Sequence, residues 1–416
     1  MTSSALRIGE PSLRLRLRRA ERGQRLKAFA LVLPLLAFLA LTFLVPIAGM
    51  LWRSVEDGEV ATVLPRTVEA LAGWDGRDLP GEPAFAALAA DLREAREAGA
   101  LPAAARRLNY DVNGYRTLLT TTARRLPSPP EPGRAAETLL DISPRWGEVE
   151  TWGAIARARG PLTDFYLLAA LDLKRTADGT IVRAPEDTAI YLDVFGRTLG
   201  IGASVTLLCL LLGFPIAYLL AALPPRRSNL LMVLVLLPFW TSLLVRTTAW
   251  VVLLQSEGLV NGLLVWTGLV DEPLRLIYNR FGVYVAMTHV LLPYMILPLY
   301  SVMKGIPPSY MRAASSLGAS PLTAFRRVYL PLALPGVGAG CLLVFILAIG
   351  YYITPALVGG GGDQMISYFI AFYTTETVNW GLASALGAVM LLATLLLAGV
   401  YGRLVQGRSG TGDRGL

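Results

Sequence analysis

MKGIPPSYMRAASSLGASPLTAFRRVYLP, residues 303–331, is a polar stretch set between two strongly apolar runs. Pro307 and Pro308 preset the first turn of a short helix, where backbone N–H groups lack partners and proline costs nothing. Ala313 and Ala314 keep one face of that helix small, so that another protein's surface can approach it closely. Gly318 ends the helix, because the left-handed C-terminal position is cheapest for glycine. Arg326 and Arg327 follow at headgroup level, where positive charge favours the cytoplasmic side of a bilayer. The segment reads as a helix that leaves a membrane, docks on a soluble partner and returns.

Composition sets the same frame. Of 416 residues, 54% are hydrophobic and 16% charged, with a mean hydropathy of +0.51. These values lie outside the range of soluble domains and describe a polytopic membrane protein. The formal charge of +8 does not point to nucleic acid, since the bases cluster beside apolar runs and no nucleic-acid motif accompanies them. Cys209 and Cys341 both fall inside apolar runs, so no disulfide is expected. With His289 the sole histidine, no metal site is expected either.

Six runs are long enough to cross about 30 Å of hydrocarbon. The first, 28–52, follows a tail, 1–27, with eight basic residues between Arg7 and Lys27. It is too long for a signal peptide and no small-residue cleavage site follows, so a retained span is expected. The others lie at 199–223, 230–254, 282–302, 332–357 and 381–404, within a core of 195–405 followed by a tail, 406–416. Bases concentrate in the tails, at Arg226 and Arg227, and in 303–331 at Lys304, Arg312, Arg326 and Arg327. The short loops on the other side hold only Arg275 and Arg280. Both termini are therefore expected in the cytoplasm, and residues 53–194 outside it, in the periplasm of a bacterial inner membrane. Pro215, Pro238, Pro293, Pro298, Pro335 and Pro355 fall inside the spans, which suits helices broken around a watery pathway. Gly196 with Gly200, and Gly336 with Gly340, have the spacing of close helix packing.

Residues 53–194 differ in kind. From 53 to 193 they carry 22 acidic and 17 basic residues and many prolines. Phe85, Leu88 and Leu92 predict a helix with a charged face of Asp91, Arg93, Glu94 and Glu97. A second helix is expected from an N-cap at Thr163 through Phe165, Leu168 and Leu171 to a turn at Asp178-Gly179. Residues 127–132 read as linker.

In the opening stretch, Ala313-Ala314 is followed four residues after Ala314 by Gly318, then by nine residues, Val328, one residue and Leu330-Pro331. This spacing resembles the EAA loop of the membrane subunits of ATP-binding-cassette (ABC) importers, with Arg312 where the family has glutamate. Further stretches are similar to the permease subunits of the spermidine/putrescine branch: Leu237-Pro238-Phe239-Trp240-Thr241, Val245-Arg246-Thr247-Thr248-Ala249-Trp250, Gly258-Leu259-Val260-Asn261, Ile353-Thr354-Pro355-Ala356-Leu357 and Asn379-Trp380-Gly381. The resemblance covers most of 195–405. It implies an all-α fold of six transmembrane helices with a MetI-like permease core, here carrying a large, mainly helical extracytoplasmic insert. It also implies two ATP-binding partner subunits, a second related permease and an extracytoplasmic solute-binding protein, with a polyamine, an opine or another small organic solute as cargo. Arg312, Ala313, Ala314, Leu317, Gly318, Leu330 and Pro331 would form the ATPase-coupling segment. No G-x-x-x-x-G-K-[S/T] loop occurs in the chain, so ATP and Mg would belong to the partners, and this chain would be no enzyme.

Arg246 falls about 16 residues into its span, about 24 Å deep at helical rise. A charge there should face protein or water. His289 reaches similar depth, so the two are expected to share a polar patch. Further candidates along a path are the aromatics Trp240, Trp250, Tyr294 and Tyr351, together with Thr241, and the carboxylates Glu257, Asp363 and Glu376, which would attract a cationic cargo. A channel or secondary transporter would share six spans but has no use for the loop spacing. A membrane enzyme lacks a nucleophile motif and intramembrane acids.

Overall fold

The computed structural model describes residues 27–127 and 133–409, with backbone alone for 404–409. The expected basic tail before Lys27, residues 128–132 of the expected linker and residues 410–416 of the expected C-terminal tail lie outside the described residues. Among the described residues six helices are long and apolar enough to cross a membrane: Lys27–Arg53, Tyr191–Ala222, Leu243–Trp266, Arg280–Lys304, Pro321–Gly350 and Trp380–Arg403. The first of these, α1 (Lys27–Arg53), forms a unit by itself. It widens to a π-helix over Ala40–Leu44, just before Pro46, whose ring and missing N–H disturb the regular ladder.

Residues 54–190 form a helical body: α2 (Glu59–Val63), α3 (Pro65–Ala70), α4 (Glu82–Glu97), α5 (Leu101–Asp111), α6 (Tyr115–Arg125), α7 (Ala135–Ile142), α8 (Val149–Arg157) and α9 (Phe165–Ala170), then β1 (Leu173–Arg175) and β2 (Ile181–Arg183). Its core is built on Tyr115, Trp146 and Trp152, all fully buried. The polar tips of these three rings are satisfied. Trp146 Nε1 donates to Thr122 Oγ1 at 3.0 Å, Trp152 Nε1 to the Trp146 carbonyl at 2.9 Å, and the Tyr115 hydroxyl to the Thr151 carbonyl at 2.7 Å. Phe85, Leu88 and Leu92 of α4 enter this core as their period predicts. Asp91 does not belong to the charged face. Three residues after Leu88 it turns inward, and its carboxylate accepts from the N–H and hydroxyl of Thr67 at 2.8 and 2.7 Å.

Buried charge in this body is paired. Arg107 and Asp57 are each 1% exposed and 2.6 Å apart, and the guanidinium lies 4.3 Å from the centre of the Phe165 ring. Burial pushes the Asp57 carboxyl above the usual range while Arg107 draws it back. Arg157 holds both Asp111 and Glu150 at 3.0 Å.

The second expected helix is shorter than its pattern. The Thr163 hydroxyl does accept the Phe165 N–H at 3.0 Å. However, α9 stops at Ala170 and buries Tyr166 and Ala170 rather than the 165, 168, 171 stripe. The chain then turns back as a hairpin, with Leu173 opposite Arg183 and Asp178-Gly179 at the bend. An Asp-Gly pair between short β-forming runs is a hairpin signal, and here it wins over helical periodicity.

The membrane bundle comprises α10 (Tyr191–Ala222), α11 (Pro225–Leu236), α12 (Leu243–Leu254), α13 (Leu259–Trp266), α14 (Arg280–Lys304), α15 (Pro308–Ser316), α16 (Pro321–Ala324), α17 (Leu330–Gly350), α18 (Ile353–Val358), α19 (Ile366–Thr375) and α20 (Trp380–Ser409). α14 sits between α10 and α17 at its centre. Gly336 and Gly340 let α17 close on α14, since a Cβ would fall 2.9 Å from Val302 and 2.7 Å from the Met295 sulfur. Gly196 and Gly200 have no neighbour within 4 Å, so that pair does not pack in this way.

Two of the spans whose prolines suit broken helices are interrupted. The third stops at Leu236, passes through a 3-10 turn, Leu237–Trp240, and extended Thr241 and Ser242, and restarts at Leu243. Pro238 fits the start of the tight turn and withholds a ladder donor. The fifth ends at Gly350, and α18 begins after the non-helical Tyr351 and Tyr352. Breaks of this sort leave hydropathy unchanged, so the apolar runs did not reveal them.

The helical body is tied to one end of the bundle. Asp172, at positive φ, accepts the first N–H groups of α10, from Tyr191 and Leu192, at 2.9 and 2.8 Å. This cap starts α10 ahead of the expected boundary at 195. The Tyr191 and Tyr373 hydroxyls lie 2.5 Å apart, and the Tyr110 hydroxyl donates to the Thr377 carbonyl at 3.2 Å. The Tyr166 ring lies so close to Gly381 that a Cβ there would come within 2.4 Å of it.

Candidate functional site

The polar loop lies at the opposite end of α10, about 48 Å away at helical rise. Pro307 and Pro308 start α15, and a Schellman closure ends it: Ala319 N–H donates to the Ala314 carbonyl and Gly318 N–H to the Ser315 carbonyl, both at 3.0 Å, with Gly318 at φ +84°. Ile306, Met311 and Phe325 pack against the bundle. Arg312 and Ala313 remain exposed, Ala314 is half-buried, and Leu317 is 89% exposed. The chain returns through α16, capped by Ser320, and a π-helical turn, Phe325–Tyr329, to Leu330 and Pro331 at the start of α17. Tyr218, near the end of α10, meets Phe325 and Tyr329 edge-on at 6.2 and 5.1 Å. The loop is thus fixed to α10 and α17 behind an open apolar knob.

The second candidate region surrounds the break in the third span. Trp240 is 90% exposed. Thr241 is exposed, its hydroxyl donating to the Pro238 carbonyl at 2.9 Å. Arg246 lies in the first turn of α12, half-buried. One turn on, Trp250 Nε1 donates to His289 Nδ1 at 3.2 Å. Indole nitrogen only donates, so Nδ1 is an acceptor and the ring proton sits on Nε2. The charge of Arg246 reaches both His289 and Tyr351, and Tyr351 also feels Tyr294, which meets Phe239 edge-on at 4.9 Å. The structure therefore brings Arg246, Trp250, His289, Tyr294 and Tyr351 into one region, although the depth expected for Arg246 assumed a continuous helix that the break at 237–242 removes.

The carboxylates do not join this group. Glu257 and Glu376 are exposed in loops at helix ends. Asp363 is buried and engaged, accepting from Arg280 at 3.0 Å and from the Gly360 N–H at 3.2 Å, so it holds a turn. Two residues not singled out as site candidates fix the broken spans. The Thr247 hydroxyl lies 3.2 Å from that of Thr354, joining α12 to α18. Asn261 donates to the Gln255 and Leu274 carbonyls and accepts from the Leu274 N–H. A polar amide inside the run Leu-Val-Asn-Gly-Leu-Leu was the available signal, because such a group must find partners.

An apolar bundle with broken spans, an open polar centre and an exposed helix at one end is the architecture of a membrane transport subunit. Residues 213–410 match the family model described as binding-protein-dependent transport system inner membrane component. The spermidine/putrescine transport system permease protein PotB of Escherichia coli is 35% identical over 214 residues, covering 51% of this chain and 78% of that protein. The Haemophilus influenzae PotB is likewise 35% identical, covering 51% and 75%. The inner membrane ABC transporter permease protein YdcU of Escherichia coli is 33% identical over 255 residues, covering 57% and 78%. A crystal structure of a bacterial ABC transporter involved in import of alginate aligns with TM-score 0.43 at 20% identity over 51% of this chain and 79% of that one, too loosely to bear on the fold. The chain belongs to the family of binding-protein-dependent transport inner membrane components, and is a multi-pass permease of the inner membrane.

Proposed function

We propose that this permease forms, with a second related permease, the path of an ATP-driven importer for a polyamine such as putrescine or spermidine. The likeness to spermidine/putrescine permeases supports the cargo. The exposed Leu317 knob, braced from behind by Phe325, Tyr329 and Tyr218, carries the mechanical part of the reading. Two partner ATP-binding subunits hold ATP and Mg and carry out hydrolysis. Their closure pushes α15, and the stacked rings deliver the push to α10 and α17, so that the spans rock between inward-open and outward-open forms. An extracytoplasmic binding protein delivers the solute. Basic loops support a cytoplasmic position for 303–331 and both termini, and a periplasmic one for 53–194. The polar centre around Arg246, Trp250 and His289 lies along the path.

The test is ATPase stimulation of the reconstituted complex by binding protein loaded in turn with putrescine, spermidine, an opine or an amino acid. Stimulation by polyamine-loaded protein alone supports the reading. Stimulation only by another cargo removes the polyamine, and a chain that purifies without any ATPase removes the importer.

A further inference from the structure

Where this bundle places an arginine beside one of its own carboxylates, the two pair: Arg280 holds Asp363 at 3.0 Å and Arg197 holds Asp193 at 2.8 Å. Arg246 is different. Its Nε and Nη1 are buried and have no hydrogen-bond partner among the described residues, and no carboxylate among them forms an ion pair with it. His289, which feels its charge, has its Nδ1 already taken by Trp250. A guanidinium keeps its charge at any accessible pH, so it cannot escape desolvation by losing a proton. Leaving it uncompensated in a membrane is costly, and a carboxylate with parallel N–H···O bonds is the group that best offsets that cost.

The surroundings say where such a group would arrive. Thr241, Ser242, Leu244 and Val245, around the break just before Arg246, are all exposed on the surface of this chain. α12 starts there with no side-chain cap on its first N–H groups, which adds positive field in the same place. We propose that Arg246 is a receptor for a carboxylate brought from outside this chain, by the facing permease in one state of the cycle or by the cargo itself. The proposal rests on the importer reading but not on the polyamine: the facing-subunit source is compatible with a polyamine, whereas the cargo source requires a carboxylate-bearing solute in its place.

The test uses acetate as the probe on the full-length chain in nanodiscs, alone and in the assembled transporter. In the chain alone, acetate at about 0.1 M should raise the melting temperature by about 2 °C over acetamide at equal concentration. Arg246→Gln should abolish the rise, and Arg246→Lys, which keeps charge but loses the planar fork, should reduce it. If Arg246→Gln does not fold, the lysine variant still decides, since a rise equal to wild type in either variant overturns the proposal, as does no rise in wild type. In the assembled transporter the acetate response disappears if the facing subunit supplies the carboxylate and persists if the cargo does. Failure of the importer reading would show separately, as absence of ATP-driven uptake by the assembled proteoliposomes whatever acetate does.

Discussion

In the helical body of residues 54–190, Arg107 and Arg157 rest on carboxylates at 2.6 and 3.0 Å, and the indole and phenol groups of the core find acceptors within the same body. In the membrane bundle, Arg246 has buried donors and no ion-paired carboxylate among the described residues, and the third and fifth spans are interrupted. Closed pairs hold one arrangement, because separating them strands a charge. An open guanidinium between helix breaks is compatible with more than one arrangement. One region is built to stay as it is, and the other is left able to change partner.

The sharpest way to break that contrast is Arg107→Met. It strands Asp57 in a dry site, and the cost should be about 3–5 kcal/mol, read as loss of the protease-resistant insert. The pH dependence has a definite sign. Burial already raises the Asp57 carboxyl, and removing Arg107 raises it further. The folded state then binds a proton more readily than the unfolded one, so the variant's deficit is largest at neutral pH and shrinks as pH falls through the raised value. Asp57→Leu combined with Arg107→Met should recover most of the loss; failure to do so would show that the pair supplies more than mutual compensation.

Next in size is Gly381→Val, which drives a side chain into the Tyr166 ring and should cost about 1–3 kcal/mol. Faster proteolysis of the insert, with the bundle intact, would show that it has been unseated. Gly318→Ala comes third. At φ +84° the added Cβ should cost about 1 kcal/mol, while Gly318→Asn costs less. Both are checked by thermal melting and by uptake per ATP hydrolysed. Smallest in stability is Leu317→Ser, within about 0.5 kcal/mol because the side chain already faces solvent. Its effect should appear only as ATP hydrolysis that no longer drives uptake, and coupling equal to wild type would remove α15 as the transmitting element.

Hydropathy made the six crossing helices legible, and the loop's prolines, small residues and glycine made α15 and its left-handed end legible as well. The prolines hinted at breaks in these spans but not at their places, Thr241 and Tyr351, because a span can lose its helical ladder without losing a single apolar residue. The depth reckoned for Arg246 rested on an unbroken helix and does not survive the turn at 237–240, and the capture of Asp363 by Arg280 joins residues 83 apart and follows from no local pattern. The hairpin at 173–183 was readable: Asp-Gly between Leu-Lys-Arg and Ile-Val-Arg signals it, and helical spacing upstream masked it. Asp91 shares a helix face with Leu88, but Thr67, which donates to it, lies 24 residues away.

The seat of the Tyr166 ring on bare Gly381 has a bearing on how such permeases can be recombined. A chimera that moves residues 53–194 of this chain onto a foreign permease divides the ring from its socket. Position 381 must travel with the graft, or the last span will carry a side chain where the incoming tyrosine needs empty space.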